Sequence, residues 1–218
     1  IIEDIELAKS AGSSFDIWRL GDQTASEAFG DTAIPFDYDS AEWLTMRDDS
    51  NGMDYAITMI GGLYRKLLEA KGAVALDEES WSDHTVDADQ WALMGIPSES
   101  VKYDGVQIIT SRVVVVPLHP AEEPPAAGGK AANQFYARPA DGSEAFFRNA
   151  DGFSGSPVFA LKKINGERRY VVIGIQSAWY RSSKTMAICP FASFAREIRR
   201  VVAEAMEELK RLGMELPN

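Results

Sequence analysis

The residue pair Asn165-Gly166 is the tightest constraint on what this chain can become. It separates two runs rich in β-branched and aromatic residues, 158–164 (VFALKKI) and 170–177 (YVVIGIQS). Asn-Gly is favoured where both central positions of a two-residue turn need positive φ, so a β-hairpin is predicted here. The same grammar recurs along the chain. Residues 15–20 (FDIWRL) alternate apolar and polar up to Gly21, and residues 54–60 (DYAITMI) stop at Gly61-Gly62. Residues 91–96, 105–110 and 113–116 read as strands on the same grounds.

Two segments carry helical spacing instead. Residues 63–70 (LYRKLLEA) place Leu63, Leu67 and Leu68 for a turn or two of helix. From Ser193 onward, Phe194, Ile198, Val201, Val202, Met206 and Leu209 recur at intervals of three and four, with Arg, Glu and Lys between them. This predicts an amphipathic helix over 193–213, capped by Ser193, ended by Gly213 and solvated on its charged face. Residues 77–90 are acidic and aperiodic and read as a connection between two halves. Residues 117–130 carry four prolines and a run of small residues, which predicts a long exposed loop with His119 in it.

Composition narrows the functions. The 218 residues suit one large domain or two small ones, and 45% hydrophobic with 10% aromatic residues is a globular balance. Acids outnumber bases by 33 to 22, a net charge of −11. That argues against nucleic acid or an anionic membrane as partner, since both need clustered positive charge. No apolar run approaches the ~18 residues that span a bilayer, and residues 1–7 lack the basic start and long apolar stretch of a signal peptide. Cys189 is alone, which excludes an internal disulfide and a multi-cysteine zinc site and fits a reducing, cytoplasmic compartment. The histidines are His84 and His119, so histidine chemistry is narrowly constrained.

The string Asp151-Gly152-Phe153-Ser154-Gly155-Ser156-Pro157-Val158 carries the chemistry. Glycines beside Ser154 leave its hydroxyl open to an approaching carbonyl and let the backbone turn until the Gly152 and Ser154 amides converge. Two such donors stabilise an acyl-transfer oxyanion, by about 2.7–4 kcal/mol each where measured. By itself the string also describes a plain tight turn between strands.

Its surroundings give it a second meaning. The string resembles the nucleophile segment of the chymotrypsin-like (trypsin-like) serine peptidases, G-x-S-G-G/S-P-V. Gly174-Ile175-Gln176-Ser177-Ala178-Trp179 resembles the family's next strand, whose edge pairs with substrate backbone. Trp91 to Pro97 resembles the opening strand of its second barrel, and Ala187-Ile188-Cys189-Pro190 with the terminal helix falls where the family's chain ends. The likeness spans most of residues 50–210, with the serine segment its specific part. It implies an all-β chain of two six-stranded antiparallel barrels, the N-terminal one incomplete, and a C-terminal α-helix. The divisions would be 1–76 for the remainder of the first barrel, 77–90 for the connection, 91–192 for the second barrel and 193–213 for the helix.

The resemblance also implies roles. Ser154 would be the nucleophile and the Gly152 and Ser154 amides the oxyanion hole. Asp54, in Asp54-Tyr55-Ala56-Ile57 a hundred residues earlier, would be the triad carboxylate. Ser177, Ala178 and Trp179 would hold substrate, and simple offset puts Arg148 near the floor of the specificity pocket. The substrate would be a polypeptide, and the chemistry needs neither metal nor cofactor. The triad base precedes the aspartate in this family, and no histidine precedes Asp54 here. Residues 1–5 (IIEDI) read as the continuation of the family's T-A-x-H string, so the base is expected just upstream of Ile1 and this chain alone is expected to be inactive. The rival reading keeps the same fold as a non-catalytic module that holds an extended peptide.

Other assignments of the base fare worse. The order Asp54, His84, Ser154 is that of subtilisin-like enzymes, whose glycine-rich histidine segment and G-T-S-M-A serine segment are absent. An α/β-hydrolase needs a histidine after its serine, and none follows His119. Phe153 stands where many extracellular relatives have an aspartate that pairs with a new N-terminus, so Ile1-Ile2 is not read as an activation terminus.

Overall fold

A computed structural model describes residues 2–13, 18–20, 34–48, 50, 53–70, 72–103, 105, 109–124, 133–143, 149–164 and 166–213. Residues 15–17, 106–108 and 125–130 of the predicted strands and loop, together with Asn165, lie outside them. The chain divides into two compact units, Ile1–Arg47 with Asp54–Leu76, and Asp48–Met53 with Asp77–Asn218.

The first unit begins with helix α1 (Ile2–Ser10) and contains strands β1 (Trp18–Leu20) and β2 (Ile34–Phe36), paired antiparallel. β3 (Leu44–Asp48) and β4 (Met53–Ile57) form a second two-stranded sheet, followed by α2 (Gly62–Ala70). Among the described residues of this unit, Ile34 and Tyr55 are buried. The Phe36 ring meets Tyr64 of α2 edge-on at 5.5 Å, and the Tyr64 hydroxyl accepts the Asp37 N–H at 3.3 Å. The Leu63, Leu67 and Leu68 spacing thus does yield a helix, but Leu63 and Leu67 are exposed and Tyr64 makes these contacts.

The second unit is a closed six-stranded antiparallel barrel. Its strands are β5 (Gln90–Gly95), β8 (Val114–Ala121), β9 (Phe135–Pro139), β10 (Pro157–Ile164), β11 (Glu167–Tyr180) and β12 (Thr185–Pro190). The short pair β6 (Lys102–Tyr103) and β7 (Ile109–Thr110) lies between β5 and β8 in sequence. Around the barrel the order is β10-β11-β12-β9-β8-β5, and β5 closes on β10. Strands β5, β8, β9 and β10 therefore make a Greek key, the fourth returning beside the first. Alternate residues of the strands fill the interior: Leu93, Val114, Val116, Leu118, Phe135, Ala137, Val158, Ala160, Val171, Ile173, Met186 and Ile188 form one cluster. Ile164 pairs with Glu167 across the predicted hairpin, and Gly166 takes φ +87° in its turn.

Two local readings need correction. Pro117, His119 and Pro120 lie in strand β8 and not in a loop. β8 pairs with β5 over 114–118 and with β9 over 118–121, so each proline has a strand neighbour on one side only. A missing N–H then breaks no second ladder, the circumstance in which sheets accept proline. His119 is nonetheless exposed. The terminal helix α3 (Phe191–Arg211) starts two residues earlier than Ser193, after the extended Pro190, and has no side-chain cap. Proline cannot extend a ladder through its nitrogen, and Phe194 and Ala195 bury themselves in the next turn. Ser193 Oγ instead accepts from Arg196 Nη2 at 3.2 Å. The helix ends as predicted, with Gly213 at φ +67°.

The segment after Leu76 is built into the barrel unit. Trp81 bridges to Val172 of β11, and the Ser82 N–H donates to the Val172 carbonyl at 3.0 Å. Trp81 also meets Phe191 of α3 edge-on at 5.4 Å and carries Arg199 over its ring at 5.5 Å.

Candidate active site

Ser154 is the second residue of the latter of two consecutive β-turns, 150–153 and 153–156, that share Phe153. The Phe153 N–H donates to the Ala150 carbonyl at 3.1 Å, and the Ser156 N–H to the Phe153 carbonyl at 2.8 Å. The third residue of each turn is a glycine with positive φ, Gly152 at +90° and Gly155 at +86°, as type II turns demand. Gly152 is required twice over. A Cβ there would lie 2.4 Å from Ser98 Oγ and 2.6 Å from Ser98 N.

Phe153 anchors the loop. Its side chain is 0% exposed and belongs to the barrel core, while Ser154 on the next residue is exposed. Three backbone bonds fix the loop from outside: Ser98 N–H to the Asp151 carbonyl at 2.8 Å, Gly155 N–H to the Gln176 carbonyl at 2.9 Å, and Gln176 N–H to the Ser156 carbonyl at 2.9 Å. Among the described residues, neither the Gly152 nor the Ser154 N–H has an acceptor. A hydroxyl on a rigid turn with two uncommitted amides can bind an electron-rich oxygen beside a reactive one.

Asp151 ties this loop to the β11–β12 turn. Its Oδ2 accepts from Asn149 Nδ2 at 2.5 Å and from Arg181 Nη2 at 2.6 Å. Arg148 lies outside the described residues.

Ser177, Ala178 and Trp179, three of the four residues expected to meet substrate, lie on β11. Ser177 occupies a bulge between the Gln176↔Ile188 and Ala178↔Ala187 pairs. Its hydroxyl donates to the Ala187 carbonyl at 3.3 Å and accepts from Gln134 Nε2 at 3.2 Å. Ala178 packs by the Tyr136 and Ala187 side chains, and Trp179 packs against the barrel core. β10 runs out at Pro157, opposite Ile175. From Ser177 to Tyr180, β11 therefore has β12 as its sole strand partner among the described residues, and an open strand edge is a template for an extended peptide.

Asp54 is an exposed residue of β4 and belongs to the first unit, whereas Ser154 belongs to the second. Among the described residues no histidine hydrogen-bonds Ser154. The His84 ring stacks on Phe135 at 4.4 Å. Its Nδ1 lies 3.1 Å from Asp83 Oδ1 without the alignment of a hydrogen bond. Burial opposes ionisation of Asp83, but the Thr85 N–H and hydroxyl, His84 and Arg196 outweigh it and hold its carboxyl below the usual range. Cys189 is fully buried, with its Sγ 3.5 Å from Gln134 Nε2.

Of three neighbours of the loop, two escape sequence reasoning. Ser98 approaches Gly152 from 54 positions away, and no local pattern announces it. Arg181 reaches Asp151 from a turn that reads as ordinary polar surface. Gln176 is the exception: a glutamine inside a strand of otherwise apolar residues is a signal. Comparison with protein-family models, with curated proteins and with solved structures finds no match.

Proposed function

We propose that this chain carries the serine and aspartate of a chymotrypsin-like serine endopeptidase. The observation that supports this reading is the double turn at 150–156, with its exposed serine and two uncommitted amides, next to the open edge of β11. The closed Greek-key barrel with a C-terminal helix is compatible with it, and the pairs β1-β2 and β3-β4 would belong to a second barrel. In the reaction, Ser154 Oγ attacks the peptide carbonyl carbon while its proton passes to an imidazole supplied from upstream of Ile1. The Gly152 and Ser154 N–H groups hold the resulting oxyanion. Collapse breaks the C–N bond, the imidazolium protonates the departing amine, and water repeats the sequence to release the acid. Asp54 orients that imidazole. The substrate is a polypeptide laid along β11, and no metal or cofactor takes part.

Peptide hydrolysis by the full-length protein tests this. Ser154→Ala is expected to lower kcat by about 10⁴-fold or more, and Asp54→Asn by about 10⁴-fold. Hydrolysis unchanged by Ser154→Ala would refute the assignment. The rival reading, a binding module on the same fold, draws on the lack of any histidine hydrogen-bonded to Ser154 among the described residues. It predicts peptide binding with no hydrolysis by the full-length protein.

A further inference from the structure

Gln176 is a buried polar residue whose side chain the protein leaves unsatisfied. It is 2% exposed, and its Oε1 is buried with no hydrogen-bond partner among the described residues. Buried acceptors in native proteins are almost always paired, and each exception asks for an explanation. Its position supplies one. Gln176 stands directly opposite Ile188, a barrel-core residue, and opposed residues of an antiparallel pair share a face of the sheet. The side chain is therefore on the barrel-interior face. Both of its backbone polar groups are bonded to the serine loop, the C=O accepting from the Gly155 N–H and the N–H donating to the Ser156 carbonyl.

We infer that Gln176 selects the substrate side chain presented next to Ser154, and that it selects an uncharged side chain carrying a hydrogen-bond donor, a carboxamide in particular. The inference rests on the reading of Ser154 as the residue that meets the substrate carbonyl. A carbonyl oxygen only accepts, so its missing partner is a donor. Asn149, just before the same loop, offers a second buried acceptor, since its Oδ1 is unpartnered among the described residues and its Nδ2 is committed to Asp151. A carboxamide supplies the donor that such an acceptor lacks. A cationic side chain fits less well. Asp151, the carboxylate of this loop, already accepts from Asn149 and Arg181, and a buried cation without a countercharge is costly.

Binding measures this without requiring turnover. Two capped hexapeptides, Ac-Ala-Ala-Ala-Gln-Ala-Ala-NH2 and its Met counterpart, are titrated into the ¹⁵N-labelled protein, following the Gln176 side-chain amide and the Gly155 backbone amide. The glutamine peptide is expected to bind about ten-fold tighter or better, because the methionine peptide leaves the acceptor unpaired. Gln176→Met and Gln176→Leu remove the orphan acceptor and are expected to erase that preference while keeping or raising Tm. Equal affinity of the wild type for both peptides, or a preference that survives in either folded variant, would overturn the role of Gln176 alone. If neither peptide binds, the reading of the Ser154 cleft falls and this inference with it.

Discussion

At the scale of single residues, the loop around Ser154 is held by backbone geometry that one side chain alone accepts. Gly152 combines positive φ with a neighbour closer than any Cβ tolerates. Gly152→Ala should cost about 1–3 kcal/mol in urea unfolding, and it should displace the uncommitted Gly152 amide that the proposed reaction uses. Gly155, with the same φ but open space around it, should be the milder of the two sites. Tyr136 gives a test by pH. Burial first, then the charge of Glu123, pushes its phenol up to about 12. Its ordinary value is near 10. The unfolded chain then releases this proton before the folded one does. The contribution is fully present below pH 10 and is lost as pH rises from 10 to 12. Tyr136→Phe should flatten that loss in chemical unfolding, and tyrosinate absorbance should show one phenol titrating late.

Among the elements, α3 depends on a few contacts at its start. Phe194 and Ala195 are its buried residues, while Val202 lies half exposed further along. Phe191 sits between Trp81 and Phe194 at 5.4 and 5.5 Å. Phe194→Ala should therefore cost about 3–5 kcal/mol in urea unfolding, far more than Val202→Ala on the same helix. The elements also differ in how legible they are in sequence. The hairpin of β10 and β11 and the apolar stripe of α3 are written in neighbouring residues, because period two and period 3.6 are local properties. The proline-bearing half of β8 is not, since its acceptability depends on which flank has a partner strand, and that is decided by β5 and β9. Ser193 misleads for a related reason: a good cap residue yields to a helix that begins where Phe191 and Phe194 find the barrel.

At the scale of the whole molecule, barrel closure turns a flexible glycine-serine string into a fixed site. Phe153 is pinned in the core, Gln176 comes from the next hairpin and Ser98 from the stretch after β5, so three distant parts of the chain meet at one loop. The string itself singles out Ser154; its neighbours are fixed by topology, which is why Ser98 and Arg181 are found in space and not in the sequence. On the proposed function, the reactivity of Ser154 is accordingly a property of the folded barrel. Mass-spectrometric mapping of a fluorophosphonate adduct on the full-length protein tests this most directly. One adduct on Ser154 is expected, absent after unfolding in urea and absent in a folded Ser154→Ala variant. A folded wild-type protein that gains no adduct at Ser154, or gains it equally when unfolded, would contradict the account.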